Sequence, residues 1–288
     1  MSLRVIFMGS PAFAVPSLRA LHAAGHEITA VYTQPPRPKG RGQQVQPTDV
    51  QLAAENLGLG DRVRCPARLR DEALDELLAT PCDVICVVAY GLLLPKALVD
   101  SRVCLNVHPS ALPRWRGAAP LQWTLLSGDK TSELCVMRLD EGMDTGPVYC
   151  RIPLTVEEND TYGQLHDRAA AMGASALVDV VARLSELTPL PQNSEGATHA
   201  RKLTKDDARL DLSRSALEIH NTIRALTPSP HAFLEHEGVR IKVRGSRLGE
   251  GRIERFVGAS LSCSDDEVWV AEALRPGEGW RDAAEVLG

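Results

Sequence analysis

Two polar side chains two residues apart, followed by a carboxylate in a glycine-flanked turn, are the residues best suited to chemistry in this sequence. Asn106 and His108 close a short apolar run, and Pro109 follows them. Side chains two apart on a strand face the same way, and proline ends the strand, so both should point into a cleft at a sheet edge. Asp144 lies in an Asp-Glu-Gly-Met-Asp-Thr-Gly turn (140–146), which can present its carboxylate to that cleft.

These three groups are suited to moving an acyl group onto an amine. A side-chain amide can stabilise the oxyanion of the tetrahedral species, and an imidazole can donate or remove a proton. A carboxylate beside the imidazole orients the ring. No Ser or Cys is obviously placed as a nucleophile, which favours direct attack by the substrate amine. On spacing alone, the alternative stays open that all three are ordinary strand-end and turn residues, since Asn, Asp and His are common there.

Alternating strands and helices precede and surround these residues. Apolar runs predict buried strands at 3–9, 27–33, 83–89 and 105–108, and helical spacing predicts helices at 12–24, 46–58, 69–78 and 162–187. Strand-like segments at 132–139 and 147–154 flank the Asp144 turn. The fold class predicted is α/β: a doubly wound, mostly parallel Rossmann-like sheet that binds its ligands at the carboxyl ends of the strands. A dinucleotide site is weakly supported, because no Gly-x-Gly-x-x-Gly follows the first strand.

A second domain is predicted after a stretch rich in proline, glycine and polar residues. We assign 1–187 to the catalytic domain, 188–205 to a linker and 206–288 to the second domain. Ser213 is expected to cap a helix that runs to about residue 226. Short strands at 232–235, 239–244, 251–255 and 267–272 with glycine-rich turns then suggest a small β-barrel of the OB-like kind.

Composition limits the classes of function. The chain has 288 residues, of which 44% are hydrophobic and 24% charged. Its net charge of −5 argues against a surface that is positively charged throughout, as in many nucleic-acid-binding proteins. The seven cysteines are scattered and form no Cys-x-x-Cys pair. No apolar run reaches the ~18 residues of a membrane span. We therefore expect a cytoplasmic protein with no metal and no membrane partner. We also expect a monomer, although composition does not bear on the oligomeric state.

The motifs around these residues resemble those of the folate-dependent formyltransferases. Asn-Val-His-Pro-Ser-Ala-Leu-Pro-Arg-Trp-Arg-Gly-Ala-Ala-Pro (106–120) is followed by the 140–146 turn, and further matches lie at 7–13, 33–42, 87–95 and 202–211. The resemblance covers residues 5 to about 235 and fades beyond about 245. It implies 10-formyltetrahydrofolate as the formyl donor, no metal, and catalytic roles for Asn106, His108 and Asp144.

The same resemblance implies a folate site. The stretch that contacts folate in the family corresponds to Ser110, Ala111, Leu112 and Pro113, where Ala111 replaces a leucine. The loop of Tyr90, Gly91 and Leu92 is expected to wall the pterin pocket, although ordinary core packing at a strand end remains an equal alternative.

Two basic features bear on the acceptor amine. Residues 33–48 contain three cations and no acid, and residues 239–255 contain six cations and two acids. The family resemblance implies that the first loop approaches the acceptor end of tRNA. The residues predicted to contact tRNA phosphates are Arg37, Lys39, Arg41, Arg240, Lys242 and Arg244.

We therefore expect methionyl initiator tRNA as the acceptor, and a role in translation initiation. A small-molecule amine formyltransferase, a 10-formyltetrahydrofolate hydrolase and a non-enzymatic RNA-binding relative are the alternatives. For the cations at 239–255, an alternative to tRNA binding also remains open, in which they simply form a solvated strand face or protect the edge of a sheet.

Overall fold

The computed structural model describes residues 2–39, 42–249 and 258–287. Among these residues the helices are α1 (Val15–Ala23), α2 (Asp49–Asn56), α3 (Glu72–Ala79), α4 (Lys96–Ser101), α5 (Pro120–Leu126), α6 (Tyr162–Ala182), α7 (Ala216–Ala225) and α8 (Ala283–Leu287). None of these helices is both long and apolar enough to cross a membrane.

The strands of the same residues fall into two groups along the chain. The first are β1 (Arg4–Gly9), β2 (Glu27–Tyr32), β3 (Arg37–Lys39), β4 (Gln44–Gln46), β5 (Val63–Arg64), β6 (Val84–Val88), β7 (Cys104–His108), β8 (Arg116–Gly117), β9 (Thr131–Arg138) and β10 (Val148–Thr155). The others are β11 (His199–Ala200), β12 (Ala232–His236), β13 (Val239–Leu248), β14 (Ala259–Ser262), β15 (Glu267–Leu274) and β16 (Arg281–Asp282).

Internal contacts divide the chain into two compact units. The first comprises Met1–Arg116, Glu133–Leu154 and Asp167–Thr198, and the second comprises Gly117–Ser132, Thr155–His166 and His199–Gly288. Residues 188–198, which the sequence assigns to a linker, thus pack with the first unit. The domain boundaries at 187 and 205 stay a prediction.

The first unit is built on a mostly parallel sheet, which confirms the predicted fold class. The strand order is β10-β9-β7-β6-β1-β2-β5. The five strands from β7 to β5 pair in parallel, and β9 runs antiparallel to β7. β6 is buried along its whole length and most of β1 is buried, as expected for strands covered on both faces.

A glycine lets α6 pack closely against β7, the strand that carries Asn106 and His108. A Cβ atom at Gly173 would lie 2.7 Å from the Val107 side chain and 3.1 Å from Leu134. Val107 points to the face of β7 opposite Asn106 and His108, because side chains alternate along a strand. The close approach of α6 therefore supports β7 from behind the two polar residues.

The second unit contains an antiparallel sheet, which includes the short strands predicted at 232–235, 239–244 and 267–272. Its order is β12-β13-β15-β14, and β16 also pairs with β15. Ile241, Val243, Val268 and Val270 are fully buried in its core, together with residues of α7. A closed OB-like barrel stays a prediction, and the strand predicted at 251–255 lies outside the described residues.

The predicted N-cap of α7 was wrong by two residues. Ser215, rather than Ser213, precedes the helix, and its hydroxyl accepts from the backbone N–H of Glu218. The Glu218 carboxylate in turn accepts from the backbone and hydroxyl of Ser215, which completes a capping box. Ser213 instead donates to Asp211 in the preceding turn. The chain offers two serines in three residues, and only the second has a glutamate three positions later.

Candidate active site

Asn106 and His108 lie two residues apart near the carboxyl end of β7 and so share one face. In the sheet register Asn106 stands opposite Val87 of β6 and Met137 of β9. His108 is only 4% exposed, whereas Asn106 is half-buried. The side-chain amide of Asn106 makes no hydrogen bond to any residue that the structure describes. Its N–H donors are therefore available to a ligand.

Both ring nitrogens of His108 face a polar group of the protein. Nε2 lies 2.9 Å from the carbonyl oxygen of Trp115. Because a carbonyl only accepts, Nε2 carries the hydrogen of this bond. Nδ1 lies 3.6 Å from Oδ2 of Asp144, whose side chain is 14% exposed. Nδ1 is thus the nitrogen left to exchange a proton, and a carboxylate stands beside it.

The turn that carries Asp144 is fixed by its own hydrogen bonds. Oδ1 of Asp140 accepts from the backbone N–H of Gly142 at 3.1 Å and from the Thr145 hydroxyl at 2.7 Å. Gly146 is required at the end of the turn, because a Cβ there would collide with the carbonyl oxygen of Arg138. The turn therefore holds the Asp144 carboxylate in one place relative to the sheet.

Gln192, which the sequence did not predict as a site residue, forms two hydrogen bonds to the same turn. Its Nε2 donates to the carbonyl oxygens of Asp144 at 2.9 Å and Gly146 at 2.8 Å. The signal available in the sequence was a lone glutamine in a Pro- and Gly-rich stretch, which by itself predicts nothing.

Left-handed backbone occurs in three loops that carry predicted site residues. Ala89, Trp115 and Asp144 have φ values of +47°, +60° and +54°. Such conformations cost a non-glycine residue about 1–3 kcal/mol each and persist where the surrounding contacts impose them. They cluster at functional sites, which is consistent with these loops forming one.

The turn that follows β7 holds the residues predicted to contact folate, and neighbouring strands fasten it. The Cys135 thiol of β9 donates to the Ser110 carbonyl at 3.2 Å, and Arg151 of β10 donates to the Leu112 carbonyl at 2.7 Å. Burial raises the pKa of the Cys135 thiol to about 11, so it remains a neutral donor. The Ser110 hydroxyl is buried and donates to the Arg114 carbonyl at 2.7 Å.

The four residues predicted to contact folate differ in whether their side chains are accessible to a ligand. The Ser110 hydroxyl closes the turn, and the Leu112 side chain belongs to a small buried cluster with Cys135 and Met137. Ala111 and Pro113 are partly exposed. Folate contacts at all four positions stay a prediction.

The loop after β6 is fixed through its backbone. The Tyr90 ring is 2% exposed within the hydrophobic core, where burial raises the pKa of its hydroxyl. Its carbonyl oxygen accepts from the Ser10 hydroxyl at 3.1 Å and from Nε2 of Gln34 at 3.3 Å. Gly91 and Leu92 follow at the surface and at its margin. Core packing thus accounts for the Tyr90 side chain.

The basic segment 33–48, called the cationic loop below, contains a short hairpin that the sequence did not predict. Arg37 pairs with Gln46, and Lys39 pairs with Gln44, in the antiparallel strands β3 and β4. The exposed Arg37 guanidinium donates to Oε1 of Gln34 at 3.0 Å. Arg41 lies outside the described residues.

In the second unit, the predicted cations occupy one side of β13 and already have partners. Arg244 forms a bidentate ion pair with Glu272, at 2.7 and 3.0 Å. Lys242 donates to the Pro230 carbonyl at 3.0 Å, and the Arg240 guanidinium lies 4.0 Å from the ring centroid of Phe233. Of the three, Arg240 is the exposed one. Among the described residues of the whole chain, no group of three or more His, Cys, Asp or Glu is placed to hold a metal.

Comparison with known proteins gives a family for both halves of the sequence. Residues 3–181 match the family described as formyl transferase, and residues 202–275 match its C-terminal domain. A protein named methionyl-tRNA formyltransferase from Dinoroseobacter shibae is 46% identical over 291 residues, which cover 99% of this chain and 97% of that protein.

Solved structures of low sequence identity share the fold. An N-formyltransferase from Helicobacter canadensis, in complex with folinic acid and dTDP-3-aminofucose, aligns with a TM-score of 0.71 at 18% identity, covering 95% of this chain and 100% of that chain. HypX from Aquifex aeolicus, in complex with tetrahydrofolic acid, aligns with a TM-score of 0.63 at 16% identity, covering 100% of this chain and 47% of that chain.

These matches confirm the resemblance that the motifs indicated. The N-terminal match extends over more than half of the sequence and contains Asn106, His108 and Asp144. The chain belongs to the formyl transferase family.

Proposed function

We propose that this chain transfers a formyl group from 10-formyltetrahydrofolate to the α-amine of methionyl initiator tRNA, for translation initiation. The observation that carries the proposal is the geometry around His108, whose Nδ1 lies 3.6 Å from the Asp144 carboxylate. On the same strand face, the Asn106 amide makes no hydrogen bond to any described residue. The D. shibae relative, 46% identical over 99% of the chain, supports the choice of acceptor through its name.

The chemistry follows from the groups present. The α-amine forms a bond to the formyl carbon, and the bond from that carbon to N10 of the folate breaks. The Asn106 amide donates to the oxyanion that develops on the formyl oxygen. His108 takes up the amine proton at Nδ1 and passes it to the departing nitrogen, while Asp144 stabilises the ring as it becomes positively charged. The products are formylmethionyl-tRNA and tetrahydrofolate.

The donor is assigned to the loops at 89–94 and 110–116. Ala111, Pro113, Gly91 and Leu92 are partly or fully exposed there. Tyr90, Ser110 and Leu112 act by fixing the backbone of these loops, since their side chains are buried in the protein. The folate analogues bound to the H. canadensis enzyme and to HypX support a folate-type donor.

The acceptor is assigned to the cationic loop and to β13. Arg37, Lys39 and Arg41 are proposed to contact phosphates near the acceptor end of the tRNA. In the predicted tRNA-binding domain (206–288), Arg240 is expected to contribute more than Lys242 and Arg244, because it is the exposed one of the three. Arg244 is already paired with Glu272, and Lys242 donates to the Pro230 carbonyl. We propose that the protein acts as a monomer, in the cytoplasm, where translation initiation takes place.

A small-molecule amine formyltransferase is the second candidate, because the H. canadensis enzyme of the same fold was crystallised with an amino-sugar nucleotide. The deciding experiment measures initial rates with 10-formyltetrahydrofolate and four acceptor conditions: methionyl initiator tRNA, free methionine, a small amine, and no amine. We expect kcat/KM for the tRNA to exceed that for free methionine by about a hundredfold or more, because contacts remote from the amine contribute to transition-state binding.

Each other outcome assigns a different activity. Equal rates with tRNA and free methionine would establish the small-amine enzyme. Formate released without any amine would establish a hydrolase. No turnover under any condition would leave the RNA-binding relative.

A further inference from the structure

The segment 190–198 contacts the partners of both nitrogens of the His108 ring. On the Nδ1 side, Gln192 donates to the carbonyls of Asp144 and Gly146. On the Nε2 side, the Thr198 hydroxyl accepts from the backbone N–H of Trp115 at 2.9 Å. Trp115 is the residue whose carbonyl receives the His108 Nε2–H. All of these residues belong to the first unit.

Two backbone pairings keep this segment in place. At its start, Leu190 and Val148 exchange both backbone hydrogen bonds, at 2.8 and 2.9 Å. At its end, the Thr198 carbonyl accepts from the N–H of Arg116 at 2.9 Å, and the Thr198 N–H donates to the Pro113 carbonyl at 3.3 Å. Gln192 and Thr198 are therefore held near the Asp144 turn and the 110–116 turn respectively.

The orientation of the Gln192 amide is fixed by Arg116. The Arg116 guanidinium donates from Nε at 3.1 Å and from Nη2 at 2.7 Å to Oε1 of Gln192. Since a guanidinium can only donate, the amide oxygen must face it, and the amide N–H groups must face the two carbonyls of the turn. Each hydrogen-bonding atom of this side chain thus has the partner that its chemistry requires.

We propose that Gln192 and Thr198 are positioning residues for the catalytic imidazole. Gln192 fixes the carboxylate beside Nδ1 through the backbone on both sides of Thr145, and Thr198 fixes the carbonyl that holds Nε2. The segment predicted as an interdomain linker thereby sets the position of His108 in the active site. The expected loss of kcat rests on the proposed function, whereas the placement of the His108 ring by these two residues does not.

The kinetic test compares substitutions in this segment. Gln192→Ala and the isosteric Gln192→Glu should both lower kcat for formyl transfer by about 10- to 100-fold, because small displacements of catalytic groups have effects of that size. KM for the tRNA and the folate should change less than about threefold, since neither residue is proposed to touch a substrate. Gln192→Glu is decisive: it preserves the contact to Arg116, but its carboxylate cannot donate to two carbonyls.

Conservative and control variants separate positioning from general stability. Thr198→Ser should retain near wild-type kcat, because the hydroxyl acceptor survives, and Thr198→Ala should not. Glu195→Ala changes an exposed side chain in the same segment and should leave kcat unchanged. A Gln192→Glu enzyme with wild-type kcat would overturn the proposal, as would equal effects of Thr198→Ser and Thr198→Ala.

A second measurement needs no turnover. NMR of protein carrying 15N-labelled histidine follows the His108 imidazole through a pH titration, and its signals are assigned by their absence from His108→Asn. The midpoint or the tautomer-sensitive shifts should change in Gln192→Ala and not in Glu195→Ala. An unchanged His108 titration in Gln192→Ala would refute the positioning role. If the wild-type enzyme forms no formylmethionyl-tRNA, the proposed function fails, and this comparison still decides the role of Gln192.

Discussion

Asp144→Asn is the substitution whose effect the site geometry predicts most directly. It removes one negative charge from beside His108 and changes the shape of the side chain very little. The lost term is the attraction between the Asp144 carboxylate and the positive charge that forms on the ring when Nδ1 takes up the amine proton. The relevant separation is 3.6 Å from Nδ1 to Oδ2.

The size of the effect follows from Coulomb's law. At an effective dielectric constant of about 20, opposite unit charges at this separation attract by roughly 4 to 5 kcal/mol. The Asp144 side chain is 14% exposed, so solvent reduces the attraction, and we take about 2–4 kcal/mol as the net transition-state effect. At about 1.4 kcal/mol for each tenfold change in rate, kcat should fall by about 30- to 1000-fold.

The assay is a rapid-quench measurement of formyl transfer to methionyl-tRNA with both substrates saturating. Asp179→Asn serves as the matched control, because it makes the same change in net charge at a side chain that is 61% exposed. Urea unfolding of both variants shows whether the fold is retained. A folded Asp144→Asn enzyme with kcat within about threefold of wild type would refute the role assigned to this carboxylate.

Three further predictions concern stability. Tyr90→Phe should raise the free energy of unfolding by about 1 kcal/mol in urea, because the hydroxyl is buried and has no hydrogen-bond partner among the described residues; a clear loss of stability would contradict this. The Arg201 guanidinium holds the pKa of the Asp207 carboxyl below its ordinary 3.8, so its stabilisation is present above that pH and is lost as the pH falls below it. Asp207→Asn should therefore flatten the acid side of the Tm–pH curve, and an unchanged acid side would count against the ion pair. Ser215→Ala should cost about 1 kcal/mol in urea unfolding by removing the N-cap of α7, whereas an unchanged midpoint would mean that the cap is redundant.

The central sheet and the residues at its edge were predictable because they depend on local patterns. Continuous apolar runs identified the buried strands, including β1 and β6, and the alternation with helices indicated parallel pairing. Asn106 and His108 could be placed on one face of β7 from their spacing alone. Their assignment to formyl transfer, however, depended on the surrounding motif and not on spacing.

The contacts that fix the site could not be predicted, because they join residues far apart in the chain. Gln192 bonds to Asp144 across 48 positions and to Arg116 across 76 positions. A glutamine in a stretch rich in proline and glycine carries no local signal for either partner. The composition of the same stretch predicts a linker, although its residues to 198 pack in the first unit.

In β13, the alternation of apolar and cationic residues predicted the two faces of the strand, but it did not predict which cations are already paired within the protein. Ile241 and Val243 are fully buried, as the alternation along β13 requires. The sequence of β13 gave no sign that Glu272 would pair with Arg244, because the acidic partner comes from β15. Strand periodicity therefore identifies a charged face, whereas the charge available for a ligand depends on the neighbouring strand.

The central claim is that this site passes the formyl group directly to the amine of methionyl-tRNA. A single-turnover time course with radiolabelled 10-formyltetrahydrofolate, quenched in acid, measures label on the tRNA and on the protein in the same samples. The account predicts that label accumulates on the methionine α-amine at the rate of folate consumption, with none bound to protein at any time. Label that appears on the protein first and then moves to the tRNA would contradict it.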